Sequence, residues 1–552
     1  MKKKFALLLA AAMVSTTVLS GCGGSKDNGA DAGNAGAVTA EGNNLVVQLG
    51  PDPETMDPAL NSAIDASNMI IHLFEPLLNI DKDNNVIGGM AETWEVSEDG
   101  LTYTFHLRDG LKWSDGSEFT SEDFVYTFKR MADPMTAAPY GHDLLCMIKG
   151  YDEAENGNVD ALAVSAPDAQ TFVVELSYPC VYFDKICAFA ALSPVNQVTI
   201  EANGESWAID PATYVCNGSM KIKEWVPGSH ILMEKNENYW NAEAVTIDTI
   251  KFVLMEDMNA AYSAYKTGEV MFSRDVPTEE IPNLRENPEF HVAPILGTYY
   301  VSLNLEREYF QDPKVRQALS LALDRQYIAD TIMQGTYSPA VNFVGPGVSD
   351  AEAGSSFQDT TIAEYGEFFH VDDFEGDLAK AKELLADAGY NKPLAEYLQS
   401  AWGELGVNTE IKIIEWASFT PTRRNGDYDI ARNGWVYDYD DPSNMLNLFE
   451  STNGNNDGRY NNPEYDALIA SARETVDKAE HYQLLHEAEQ LLLNDMGMIP
   501  IAYNNDFWLQ KPELQGTWHS PYGYWYFMYA SYGEAGQTEE AVPAEAETEA
   551  SN

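Results

Sequence analysis

The chain has 552 residues, 45% hydrophobic and 22% charged, a globular composition long enough for two or three domains. Asp and Glu number 87 against 33 Lys and Arg, a formal charge of -54. Such an acidic balance argues against a nucleic-acid partner and otherwise speaks only for solubility.

The first residues, "MKKKFALLLAAAMVSTTVLSGC", place Lys2, Lys3 and Lys4 before a 15-residue apolar run from Phe5 to Leu19. That is the pattern of a secretory signal, too short to span a membrane comfortably. Its end, "LSGC", resembles a bacterial lipoprotein signal. The resemblance implies removal of residues 1–21 and acylation of the Cys22 thiol, leaving the protein on the outer face of the cell membrane, held through lipid alone. No later stretch is apolar for 18 residues, so no other span is expected. Residues 22–43 are rich in Gly, Ala and Asn and read as a flexible tether. The far end, residues 533–552, holds six Glu and no Lys or Arg and reads as a disordered acidic tail.

Within the body, "DKDNNVIGGMAE" sets Asp81, Asp83, Asn85 and Glu92 at calcium-loop spacing, but Val86 stands where the sharp turn needs Gly. A plain turn between strands is the better reading. "TYTFHLR" (102–108) alternates Tyr103, Phe105 and Leu107 on one face and predicts a strand. Thr120 with Asp123 predicts a capped helix start. Asp312 and Pro313 predict the N-cap and first position of a helix lined by Val315, Leu319, Ala322 and Leu323. "DKAEHYQLLHEAEQLLLND" (477–495) predicts another amphipathic helix. Mixed elements over this length, without a short repeat, suggest α/β lobes with a cleft between them.

Chemistry-bearing motifs are few. Cys146, Cys180, Cys187 and Cys216 match no zinc spacing and read as small buried hydrophobes. No Ser sits in a nucleophile elbow, "HEAEQ" (486–490) lacks a second His, and no glycine-rich phosphate loop occurs. The unusual stretch is "ARNGWVYDYDDPSNM" (431–445), which crowds Asp438, Asp440 and Asp441 among Trp435, Tyr437 and Tyr439. Carboxylates beside buried rings are costly unless a cation joins them. A solvated loop turning at Asp441-Pro442 would account for Asp440 and Asp441.

Four blocks carry a family resemblance: "MAETWEVSEDGLTYTFHLRDGLKWSDG" (90–116), "KIKEWVPGSHILMEKNENYW" (221–240), "TYYVSLNLEREYFQDPKVRQALSLALDR" (298–325) and "EWASFTPTRRNGDYDIARNGWVYDYDDPSNMLNLF" (415–449). Together they resemble the extracellular solute-binding proteins of the oligopeptide/dipeptide family, family 5, the receptors of ABC importers. The resemblance implies a two-lobed periplasmic-binding-protein-like α/β fold with a hinge and an extra subdomain. Its expected limits are a first lobe at 44–297 with the subdomain at about 76–188, a second lobe at 298–502, and a return at 503–532. It implies a monomer that captures peptides and hands them to a permease and its ATPase subunits, with no cofactor and no bond broken.

By that resemblance Asp438 pairs with the peptide α-ammonium. Trp416, Trp435 and Tyr140 shape side-chain pockets, with Tyr300 a further candidate. Gly434 lets the peptide backbone approach, and Arg423 and Arg432 meet a carboxylate. Two departures stand out. Ser62 replaces a Glu, and only Asn391, Lys392 and Pro393 stand where the family has a strand and turn. Nickel or another metal chelate, haem or an oligosaccharide are the alternative solutes, and a secreted peptidase is the competing class.

Overall fold

A computed structural model describes residues 43–387, 412, 414 and 416–533. The expected leader with Cys22, nearly all of the tether, the acidic tail and the abbreviated stretch at 391–393 lie outside the described residues. The main sheet has nine strands. In spatial order they are Ile430–Val436, Phe290–Leu303, Ile499–Gln510, Phe272–Ser273, Asn44–Gly50, Thr249–Leu254, His230–Lys235 and Met220–Val226, with Tyr337–Pro339 also against Ile499–Gln510. Asn44–Gly50 is parallel to both of its neighbours and buried on both faces: Leu45, Val47 and Leu49 fill one, and Gln48 is buried on the other. A run of apolar residues rather than an alternation is what such a central strand needs.

The long strands Phe290–Leu303 and Ile499–Gln510 run side by side, and their register breaks between Pro294 and Thr298. Proline has no amide to donate, so the ladder lapses there. Leu296 turns elsewhere: its N–H donates to the Pro521 carbonyl at 2.7 Å, and its carbonyl accepts from Tyr437 N–H at 2.9 Å. Gly297 fills the break because a Cβ there would lie 2.7 Å from the Trp435 carbonyl oxygen and 3.0 Å from Asn504 Nδ2. The crossing is thereby stitched to the segment that carries Asp438.

A separate antiparallel sheet orders Ala91–Val96, Thr102–Leu107, Thr171–Glu175 and Val164–Asp168. Tyr103, Phe105 and Leu107 face inward as the alternation requires. Helix Ser121–Ala132 starts as expected, the Thr120 N–H donating to Asp123 Oδ2 at 2.8 Å. It packs Phe124 and Phe128 against Phe172, with ring centres 5.6 and 5.2 Å away. Asp81 to Asn85 form the turn of a small hairpin between Leu78–Ile80 and Val86–Gly88, with Asp81 Oδ1 accepting from the Asp83 and Asn85 amides.

Helix Pro313–Leu321 begins at its N-cap, where Asp312 accepts from Lys314 N–H at 2.9 Å. It ends sooner than the apolar face suggests. Asp324 caps a new turn, and buried Arg325 donates back to the Ser320 carbonyl and across to the Pro500 carbonyl, so the chain bends. Helix Lys478–Asp495 forms as expected from its Asp477 cap. The four cysteines of the body are free thiols, three of them buried and Cys146 partly so.

Candidate ligand-binding site

Strand Ile430–Val436 stands last in the main sheet among the described residues, with Gly434 opposite Tyr299 and Trp435 opposite Thr298. Once Tyr437 has bonded to Leu296, the chain turns through Asp438–Asp441 into the short helix Ser443–Leu446. Asn444 on that helix reaches back. Its Oδ1 accepts from Trp435 Nε1 at 2.9 Å and from the Asp438 N–H at 3.3 Å. One amide side chain therefore sets both the indole and the carboxylate.

The Asp438 carboxylate is half-buried and hydrogen-bonds to the Tyr140 hydroxyl and to Asn444. Burial, joined by the charge of Asp143, pushes its pKa up to about 7, with the Asn444 and Tyr140 bonds opposing. Neither Lys nor Arg pairs with it among the described residues. Its surroundings raise the Tyr140 hydroxyl far above its ordinary value, burial acting first and Asp438 second. Two cavities meet at Asp438. One, of about 280 Å³, has aromatic walls that include Phe74, Phe189, Trp518, Tyr522, Tyr524 and Tyr526. The other, of about 580 Å³, is bordered by Asp143, Tyr178, Tyr182, Arg424, Trp435 and Arg473.

Asp440 and Asp441 correct the expectation of a solvated loop: they are 1% and 0% exposed. Asp440 accepts from Asn84 Nδ2 at 2.9 Å and Ser349 N–H at 2.8 Å, and it lies 3.7 Å from Lys185 Nζ, which also donates to the Asp440 carbonyl. Asp441 pairs with His481 Nε2 at 3.2 Å. Burial pushes against both charges of this pair, but their attraction wins, lowering the Asp441 pKa and raising that of His481. Beside them the rings of Tyr182 and Tyr439 stack 4.9 Å apart. These two acids hold chain segments together, whereas Asp438 is left facing open space.

The other expected residues are distributed unevenly. Tyr140 caps helix Gly141–Leu145 with its ring on Phe189, and Trp435 borders the larger cavity. Gly434 is exposed, and a Cβ there would meet Thr298 O at 3.4 Å, so the protein's own packing does not demand glycine. Arg432 is exposed and lies 5.7 Å from the Phe419 ring. Arg423 is 2.8 Å from Asp457 and donates to Asn433 Oδ1 at 2.6 Å. Tyr300 is 2% exposed and sits between Phe343 and Phe449. Helix Trp416–Arg424 opens at Trp416, whose side chain lies outside the described residues.

Sequence reasoning missed Asn444, Asp143, Arg424 and the aromatic segment 518–529. That last segment carried a signal: Tyr522, Tyr524 and Tyr526 border the smaller cavity while Trp525 and Phe527 pack on Phe272, an alternation of period two. The arrangement suits a cation held at one carboxylate between aromatic walls, which take varied groups by area rather than by hydrogen-bond code. Among the described residues no cluster of His, Cys, Asp and Glu could hold a metal, and no helix is long and apolar enough to cross a membrane.

Known proteins resemble this chain over most of its length. Residues 85–457 match the model described as bacterial extracellular solute-binding proteins, family 5 middle. The oligopeptide-binding protein OppA of Bacillus subtilis is 33% identical over 552 residues, covering 96% of this chain and all of that protein. The probable deoxycholate-binding periplasmic protein YgiS of Escherichia coli is 32% identical over 499 residues, covering 86% of this chain and 91% of YgiS. The crystal structure of Haemophilus influenzae OppA in complex with RPPGFSPFR superposes with a TM-score of 0.74 at 28% identity, covering 89% of this chain and 99% of that one. The fold is thus the two-lobed fold of these binding proteins.

Proposed function

The chain belongs to family 5 of the bacterial extracellular solute-binding proteins, and on that premise we propose that it is the peptide receptor of an ABC importer, anchored by lipid outside the membrane. The observation that carries the peptide reading is Asp438, a carboxylate without a cationic partner among the described residues, placed where two aromatic-walled cavities meet. A free α-ammonium is the cation that every linear peptide supplies. In a closed cleft the contact is strengthened by the low local dielectric. Relatives named for oligopeptides support this reading, as does the one crystallised with RPPGFSPFR. A bile anion such as that named for YgiS would bring a second negative charge to Asp438 and suits the site poorly.

Trp435 walls the ligand beside Tyr140, Gly434 gives its backbone room, and Arg424 in the cavity wall and exposed Arg432 offer cations to a carboxylate, with Arg423 held on Asp457. Tyr300 supports this face from the core. The first lobe spans 44–297 with its subdomain near 76–188, the second spans 298–502, and 503–532 returns to the first. The register break at Pro294–Thr298 serves as the hinge. Capture, hinge closure and presentation to the permease follow, with no bond broken. Mass spectrometry of ligands released from the purified, denatured protein tests the reading. Peptides with free amino termini are expected, and recovery of bile acids, sugars or metal chelates instead would overturn it.

The anchor rests on "LSGC". Cys22→Ser should release the protein into the medium with its peptide affinity unchanged, because the tether precedes the first strand at Asn44. One acyl chain holds a membrane only marginally, so firm retention needs the paired chains of a diacylglyceryl group. Equal membrane retention of wild type and variant would contradict the anchor.

A further inference from the structure

Asp143 lies in the same cavity as Asp438, and its carboxylate takes no hydrogen bond or ion pair from another side chain among the described residues. It stands three residues after Tyr140, within helix Gly141–Leu145. Residues three apart share a helical face, and the Tyr140 hydroxyl is on Asp438. The turn therefore presents Asp143 beside the carboxylate that takes the α-ammonium. An acid in a first turn suits the helix dipole, but the dipole does not require it to share a cavity with a second carboxylate.

Of the cations that border this cavity, Arg473 pairs with Glu450 at 2.6 Å, and Arg424 makes no ion pair with Asp143 or Asp438. His142 is 4.0 Å from Glu155.

On the reading that Asp438 holds a peptide α-ammonium, we propose that Asp143 makes the site selective for peptides whose amino-terminal residue is Lys or Arg. The side-chain cation lies against Asp143 while the α-ammonium lies against Asp438. Neither carboxylate pairs with a Lys or Arg among the described residues. A ligand with one charge satisfies one of them, and a ligand with two satisfies both. After burial, the charge of Asp143 is the next cause that raises the Asp438 pKa, although Asp143 itself is exposed. Walls of Tyr178, Tyr182 and Trp435 give the apolar stem of such a side chain a surface to cover.

The test compares Lys-(Ala)n with norleucine-(Ala)n, for n from one to four, by calorimetric titration into wild type and Asp143→Asn. Norleucine keeps the stem and removes the charge. Wild type should bind the Lys series roughly two- to fivefold tighter, as one added ion pair at an exposed carboxylate gives. Asp143→Asn should bind both series alike, with an unchanged melting temperature. Equal affinities in wild type, or a preference that survives Asp143→Asn, would overturn the proposal. Acetylating the α-amine of the Lys series separates the two claims. If acetylation costs nothing while the Lys preference is lost in Asp143→Asn, the Asp438 reading fails and Asp143 stands as a cation site on its own. No binding across both series sinks the proposal together with the reading it rests on.

Discussion

Asp438 is held at a cost that the empty protein does not recover. Burial, then Asp143, pushes its pKa up to about 7, and Tyr140 and Asn444 offset only part of this. A carboxyl raised in the folded state stabilises the fold when protonated, and that stabilisation is lost as pH rises through the folded value. Without ligand, Asp438→Asn should therefore melt higher than wild type at pH 8, with the difference closing towards pH 4. Thermal melts at both values check this, and a variant that melts lower at pH 8 would contradict it. The same titration governs binding. An ammonium needs the ionised carboxylate, so peptide affinity should fall about tenfold for each pH unit below about 7. Above 7 it should level off until the peptide amine, with a pKa of about 8, loses its own proton. Titrations at pH 5, 6 and 7 in buffers of different ionisation enthalpy should reveal proton release on binding at the lower values. An affinity flat across that range would contradict the role of Asp438. At this scale the sequence marked Asp438 and Trp435, because an acid among aromatics is anomalous in any fold, and the family resemblance added Tyr140. It did not mark Asp143 or Asn444, whose roles depend on a turn that closes in space. It misread Asp440 and Asp441 because their partners, Lys185, Asn84, Ser349 and His481, are 40 or more residues away in the chain.

The elements that deliver these residues were legible wherever local chemistry decides. Alternation identified strand Thr102–Leu107, the Asp312-Pro313 pair identified a helix start, and an amphipathic pattern identified helix Lys478–Asp495. The early end of Pro313–Leu321 was not legible, since it depends on Arg325 reaching Pro500. The break at Pro294–Thr298 has a proline in plain view, yet its meaning needs the partner strand. What the elements add to binding is a clasp. Asn84 and Lys185 come from the segment proposed as the subdomain, while Asp440 and Ser349 come from the proposed second lobe. Tyr182 on Tyr439 spans the same join. Lys185→Met should weaken this clasp and loosen peptide binding about tenfold, through faster release. The penalty for acetylating the peptide should be unchanged, because Lys185 makes no ion pair with Asp438. Stopped-flow release measurements check this, and an unaltered release rate would show that the clasp does not hold the closed state.

For the whole molecule, one continuous sheet carries both long crossing strands, and the site lies where the segment after Ile430–Val436 is stitched to that crossing at Leu296. If the register break is the hinge proposed above, its closure would carry Asp438 with it, as a capture-and-close receptor needs. The two-lobed fold was legible because four separated blocks resembled one family. The ligand was not, because relatives of nearly equal identity are named for different solutes. The direct measurement is therefore a calorimetric cycle of a free peptide and its N-acetylated form into wild type and Asp438→Asn. Removing one partner of a shielded charge pair costs about 2–5 kcal/mol. Acetylation should thus weaken wild-type binding roughly thirtyfold to several-thousandfold. Asp438→Asn should weaken the free peptide similarly, and acetylation should then cost that variant little, since both changes remove one interaction. If acetylation costs wild type less than about tenfold, Asp438 does not read an ammonium, and the account of this site as a peptide receptor is contradicted.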